Sequence, residues 1–338
     1  MIGGVLSTDL PLATVRQVLI VQLDSAINRL GRGAPTDHVI HQVRRDLKRA
    51  RAALRLLRSC IGAPEYHRHN VLIRDAARPL TAVRDSKVML ETLRGLALDP
   101  LAQRPGEAAV KTGDPFVRLL NRELHRERAE ARRRLGAREL RAAAAAMRAV
   151  RRAIEAVADA QLRQGTLGVG LERTYSAARK AYARVTQRST DERLHEWRKQ
   201  TRYSLNELDM VAPLDRDKFK QRRKRARRLA QLLGDDHDLA VLNSKIFQHA
   251  KGPHAASRNA AVEDLMSRLA HRRKVLQDKA RRLGRGLYSE KPNRMRKKFD
   301  RSLRAARATA PEAQGQYSAM AARMLRAIAM RHSPTRRS

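Results

Sequence analysis

Cysteine is nearly absent: Cys60 is the only one in 338 residues. That excludes an internal disulfide and a cysteine-rich zinc module. Cys60 sits near the end of an apolar helical pattern, where it reads as buried filler rather than a nucleophile. Aromatic residues make up only 3%. Proteins that read single-stranded nucleic acid stack bases on aromatic rings, so this scarcity counts against that class. No uncharged run approaches the roughly 18 residues that a transmembrane helix needs. The first ten residues carry no Lys or Arg, so the basic start of a signal peptide is missing. The expectation is a chain of the reducing cytoplasm with no membrane span. Catalytic signatures are missing too: there is no phosphate loop of the G-x-x-x-x-G-K-[ST] type and no H-E-x-x-H. Nor is there an alternating Glu-x-Glu-x-Lys strand of the kind found in triphosphate-cleaving tunnel enzymes.

Acids are the next shortage. Against 73 Lys and Arg stand 34 Asp and Glu, a formal net charge of +39. A compact chain with this excess repels itself, so an anionic partner is expected. Nucleic acid, an anionic membrane surface, polyphosphate and an acidic protein all qualify on charge alone. The chain is not a disordered basic tail. Hydrophobic residues make up 42% and are spread along its length, enough for a packed core.

Ala, Leu and Arg dominate, all strong helix formers. Apolar residues recur at three and four rather than two, which predicts an all-α fold. Breakers divide the pattern at Gly31–Pro35, Gly62–Pro64, Pro100–Pro115, Gly165–Gly170, Pro213, Gly252-Pro253, Gly284–Pro292 and Pro311. The stretch 100–115 reads as a loop. Thr36 and Asp37 suit one helix start, Thr190 and Asp191 another.

An internal repeat organises the chain. His41-Gln42-Val43-Arg44-Arg45-Asp46-Leu47-Lys48 reappears as His195-Glu196-Trp197-Arg198-Lys199-Gln200-Thr201-Arg202, offset by 154 residues. Leu80-Thr81-Ala82-Val83-Arg84-Asp85 matches Leu233-Gly234-Asp235-Asp236-His237-Asp238, offset by 153. Near-equal offsets argue for duplicated halves, about 1–165 and 166–338, each a multi-helix unit.

On a helix at about 100° per residue, Val39, Val43, Leu47, Ala50, Leu54 and Leu57 form an apolar stripe. His41, Arg44, Arg45, Lys48, Arg51 and Arg55 form a cationic stripe roughly a third of a turn away, with Asp46 off it. An ordinary solvated helix mixes signs to gain i,i+4 pairs. This one stacks like charges on neighbouring turns, which makes sense if an anion sits between them. His195, Arg198, Lys199 and Arg202 repeat the pattern, with Trp197 on the core side. A third stripe, Lys220, Arg223, Lys224 and Arg227, lies within 216–228, which holds nine Lys or Arg and one acid. The corresponding face of the first half holds His67, Asn70, Arg74 and Arg78. Two further cation-rich runs, Arg118–Arg141 and Lys291–Arg307, read equally well as solvated faces.

Catalysis is not the favoured reading of His41 or His195. Each sits among cations, which lower a histidine's pKa, with no carboxylate in view to orient it. A neutral imidazole donating to phosphate fits better. The run Asp235-Asp236-His237-Asp238 suits a metal less well than a helix junction or pairing with arginines. No cofactor is expected.

At the two histidine helices and at Leu233-Gly234-Asp235-Asp236-His237-Asp238 the chain resembles the CHAD family, the conserved-histidine α-helical domains, from about residue 12 to 330. The resemblance implies two helical bundles, duplicated four-helix units related by a pseudo-two-fold, with a basic central groove or pore. It implies non-enzymatic binding of inorganic polyphosphate and association with polyphosphate or storage granules in bacteria. Carried over by motif, the ligand-facing residues are His41, Arg44, Arg45, Lys48 and Arg51, then His195, Arg198, Lys199, Arg202 and Tyr203. Arg74, Arg78, Arg223 and Arg227 follow from the aligned faces. The first half departs from the pattern at Leu80-Thr81-Ala82, and Pro79 is expected to kink its helix. The competing reading is a basic helical protein that binds nucleic acid.

Overall fold

A computed structural model describes residues 10–98, 114–163, 167–211, 219–250 and 259–308. They form helices and no strand. In chain order these are α1 (Leu10–Leu30), α2 (Asp37–Leu56), α3 (Arg58–Ile61), α4 (Ala63–Leu98), α5 (Pro115–Arg134), α6 (Ala137–Glu155), α7 (Asp159–Arg163), α8 (Leu167–Gln187), α9 (Asp191–Val211), α10 (Lys220–Ala250), α11 (Asn259–Leu287) and α12 (Pro292–Ala308). The all-α expectation is met. Of the predicted breakers, residues 100–113, Pro213, Gly252-Pro253 and Pro311 lie outside the described residues.

Local chemistry sets the helix starts. The Thr36 hydroxyl accepts from the Val39 amide at 3.3 Å, and the Thr190 hydroxyl accepts from the Arg193 amide at 3.3 Å. Each satisfies a donor that the first turn leaves unpaired. The two caps are 154 residues apart, the same offset as the histidine motifs. Gly62 ends α3 with φ near +81°, a conformation that favours glycine. α4 runs through Pro79 without interruption from Ala63 to Leu98.

Packing follows a parallel plan in the two stretches expected as halves, 1–165 and 166–338. In the first, α1 packs on α2, α2 on α4, α4 on α5 and α1 on α6. In the second, α8 packs on α9, α9 on α10, α10 on α11 and α8 on α12. The halves meet where α2 lies against α9 and α4 against α10. One continuous apolar core runs through both, including Leu19, Leu23, Leu47, Leu54, Leu120, Trp197, Leu229 and Leu242. Each fully buried Leu contributes about 2 kcal/mol from apolar area removed from water. The halves also touch at Gly170 of α8. A Cβ there would stand 3.3 Å from Leu56 Cα, so a side chain would push α8 off the end of α2.

Candidate functional site

Two buried stripes set the register of the central helices. On α2, Val43, Leu47, Ala50 and Leu54 are fully enclosed. That rotates Arg44, Lys48 and Arg51 away from the core of the first half. On α9, Trp197 is wholly buried against the Tyr182 ring, with centroids 5.2 Å apart. One turn on, the Thr201 hydroxyl bonds the Tyr288 hydroxyl at 2.9 Å. With that face fixed inward, Arg198 and Arg202 are carried toward α2.

The result is a crowd of cations between the halves. Arg44 and Lys48 of α2, Arg84 of α4, and Arg198 and Arg202 of α9 lie within electrostatic reach of one another in overlapping sets. Asp85 of α4 and Asp238 of α10 supply partial compensation. Arg44 Nη2 lies 3.5 Å from Asp85 Oδ1. Asp238 feels Arg198, Arg202, Asp235 and Asp85.

The crowding shows in the protonation equilibria. Lys48 retains exposed surface, yet its ammonium is pushed down to about 7. Desolvation is the largest cause, followed by repulsion from Arg44, Arg202 and Arg198. Arg198 is pushed down to about 10, by desolvation and then by Arg202. An arginine in that position still stays charged at neutral pH. His41 is held below the ordinary histidine value by desolvation and then by Arg84, Arg45, Lys48 and His38. His195 is lowered by desolvation, Arg198 and Lys199. Its ring lies 5.0 Å from that of His237. His237 is driven down to about 4 by burial and by Arg198, His195, Arg202 and Arg273.

Three of these arginines carry buried donors that find no acceptor among the described residues: Arg44 Nη1, Arg198 Nε and Arg202 Nε. A buried N–H without a partner costs free energy of about 1–3 kcal/mol, more on a charged group. Gly234 lets one of them sit where it does. A Cβ on Gly234 would stand 2.9 Å from Arg202 Nη2, so the missing side chain admits the guanidinium against α10.

Beyond the crowd the pairing tightens. Arg51 Nε donates to Asn70 Oδ1 at 2.9 Å and also bonds Tyr203. Arg55, expected on the ligand face, is instead buried. Its guanidinium lies over the Tyr203 ring, and its Nη1 sits 3.4 Å from Glu207 Oε1. Glu207 is fully enclosed and also accepts from the Thr174 hydroxyl at 2.9 Å. These contacts join α2 to α8 and α9 and leave Arg55 without an exposed face. Glu207 is raised to about 7: desolvation outweighs the pull of Arg55, Thr174 and Arg173.

Most of the remaining predicted residues have partners of their own. Arg45 donates to Gln42 and Lys199 pairs with Glu196, both on their own helix. Arg74 and Arg78 are exposed and both bond Asp75. Arg223 and Arg227 converge on Asp209 Oδ1, each at 2.9 Å. Lys220 and Lys224 are exposed. Part of the Arg118–Arg141 run is tied inward: Arg128 and Arg132 reach across to Asp37. In the Lys291–Arg307 run, Arg296 pairs with Glu172 and Asp300, and Lys298 with Glu290.

Two further expectations change. The Asp235–Asp238 run is not a helix junction, because α10 continues unbroken from Lys220 to Ala250. Asp236 is buried there and accepts from Arg273 and Gln277. Cys60 is half-buried rather than enclosed, and desolvation raises its thiol. The periodicity of α2 and α9 also left out Arg84, Asp85, His237 and Asp238. Their signal was the second repeated motif, which places Arg84 opposite His237 and Asp85 opposite Asp238.

Among the described residues no helix is long and apolar enough to cross a membrane, and no group of three or more His, Cys, Asp or Glu is placed to hold a metal. No curated protein matches the chain. A solved structure, PptA from Streptomyces chartreusis, superposes with a TM-score of 0.56 at 16% identity, covering 82% of this chain and 99% of that one. That likeness concerns the fold. The profile of the CHAD domain matches residues 21–246, a span that includes both histidine helices and the α4 and α10 motifs. The chain belongs to the CHAD-domain family.

Proposed function

We propose that this protein binds inorganic polyphosphate without altering it, in the basic groove between α2, α4, α9 and α10. Membership of the CHAD family supports a polyphosphate-related role. The observation that carries the reading is the set of buried donors on Arg44, Arg198 and Arg202, two helices and both halves contributing, inside a cluster that depresses its own cations. A guanidinium presents a planar fork that matches phosphate oxygens and keeps its charge. A linear polyanion offers such oxygens repeatedly, and each neutralised phosphate releases counterions. His41 and His195, both lowered first by burial and then by their cationic neighbours, suit single hydrogen bonds to phosphate rather than proton transfer. The parallel packing of the two halves and the shared offset of cap, histidine and α4/α10 motifs support an origin by duplication. Binding of this kind would bring the chain to polyphosphate granules.

The test is competition. Labelled long-chain polyphosphate is bound at physiological salt and challenged with unlabelled polyphosphate or with duplex DNA of matched charge. The reading expects polyphosphate to compete far better, with log affinity falling linearly in log salt. Equal competition by DNA would support a general nucleic-acid-binding role instead. Incubation with polyphosphate and a divalent metal should release no phosphate. Release lost in both His41→Ala and His195→Ala would establish an enzyme.

A further inference from the structure

The cationic cluster between α2, α4, α9 and α10 contains its own anions. Asp85 and Asp238 occupy equivalent places in the repeat, one on α4 and one on α10, and they lie within electrostatic reach of each other. Asp85 sits 3.5 Å from Arg44 and also acts on Lys48 and Arg198. Asp238 acts on Arg198 and feels Arg202. The two carboxylates therefore share the cations whose donors mark the centre of the groove. Asp85 is largely solvated, its side chain 61% exposed, and Asp238 is partly buried. Neither closes the balance, since Arg44 Nη1, Arg198 Nε and Arg202 Nε still lack acceptors.

We infer that Asp85 and Asp238 set a minimum length for the bound polyanion, an inference that rests on the polyphosphate reading above. A phosphate entering between Arg44 and Arg198 meets two fixed negative charges. Like charges brought together repel, least at the solvated Asp85 and more at the partly buried Asp238. Orthophosphate or tripolyphosphate gains only the few cations of the centre, and that gain is offset by the carboxylates. A long chain meets the same fixed repulsion once. It then extends to His41, Arg51 and His195, which lie on α2 and α9 beside that centre. Its favourable contacts grow with length while the penalty does not. Without a ligand the same carboxylates temper the mutual repulsion of the arginines.

The experiment compares wild type with Asp85→Asn, Asp238→Asn and the double variant at fixed pH and salt. Tripolyphosphate and long-chain polyphosphate are titrated calorimetrically. Glu130→Gln, an exposed acid on α5 paired with Arg134, controls for net charge, and thermal melts confirm folding. The double variant should bind tripolyphosphate roughly tenfold more tightly or better, with long-chain affinity changing about twofold or less. Asp85→Asn, at the more exposed site, should show part of this change even if Asp238→Asn is poorly folded. A length preference unchanged in the folded variants, or a gain that Glu130→Gln reproduces, overturns the inference. Failure of the wild type to bind long-chain polyphosphate overturns the underlying reading and this inference with it.

Discussion

The guanidinium of Arg55 lies 3.8 Å from the centroid of the Tyr203 ring. It thereby joins α2 of one half to α9 of the other. The same arginine meets Glu207, and Tyr203 bonds Arg51, so a line of contacts runs from a buried carboxylate to the edge of the groove. Removing one partner of a buried pair leaves the other uncompensated. Arg55→Ala is expected to cost about 3 kcal/mol or more in urea denaturation at pH 8. At pH 6 the cost should be smaller, because Glu207 then takes up a proton. An equal cost at both pH values would show that the pair does not act through the Glu207 charge.

Glu207 also predicts a pH dependence of stability in the wild type. Its folded value is near 7 against an ordinary 4.5, so the folded state holds the proton more firmly than the unfolded chain. The stability this contributes is complete below 4.5 and is lost as pH rises through 7. The loss amounts to up to about 3 kcal/mol. Glu207→Gln should flatten this slope between pH 5 and 8. A slope that persists in the variant would assign the effect to other groups.

Lys48 predicts proton uptake on binding. Its ammonium titrates near 7 in the free groove, chiefly through desolvation and the neighbouring arginines. Bound phosphates would return it toward its ordinary range. At pH 8 the complex should therefore take up protons, and affinity should fall as pH rises from 7 to 9. Calorimetry in two buffers of different ionisation enthalpy measures the uptake, and Lys48→Met should abolish most of it. Binding enthalpies that do not depend on the buffer would contradict this.

Gly234 separates binding from stability. A methyl group there meets only the far end of the Arg202 side chain, which can swing aside. Alanine is the better helix former by roughly 1 kcal/mol. Gly234→Ala should thus melt no lower than wild type yet bind polyphosphate several-fold more weakly. Unchanged affinity would mean that Arg202 reaches the ligand from elsewhere.

Much of this architecture is visible in the sequence, because its causes are local. Thr36 and Thr190 mark helix starts through their own hydroxyls. The apolar stripe Val43, Leu47, Ala50, Leu54 fixes the face of α2, and the repeated histidine motif locates α9. What the sequence conceals depends on distant partners. Arg55 continues the basic stripe by spacing, but Glu207, 152 residues away, draws it inside. Arg74 and Arg78 match the basic face of Lys220–Arg227 by alignment, yet Asp75 between them is their partner. Gly234 resembles a helix end by composition. Only the neighbouring α9 shows that it admits a guanidinium within a continuous α10.

The central claim concerns where the polyanion lies, and a crystal structure with a bound polyphosphate chain tests it most directly. The account predicts phosphates running between α2 and α9, with oxygens within hydrogen-bond distance of Arg44 Nη1, Arg198 Nε and Arg202 Nε. A chain bound on another face, with those three donors still without a phosphate oxygen, would contradict it.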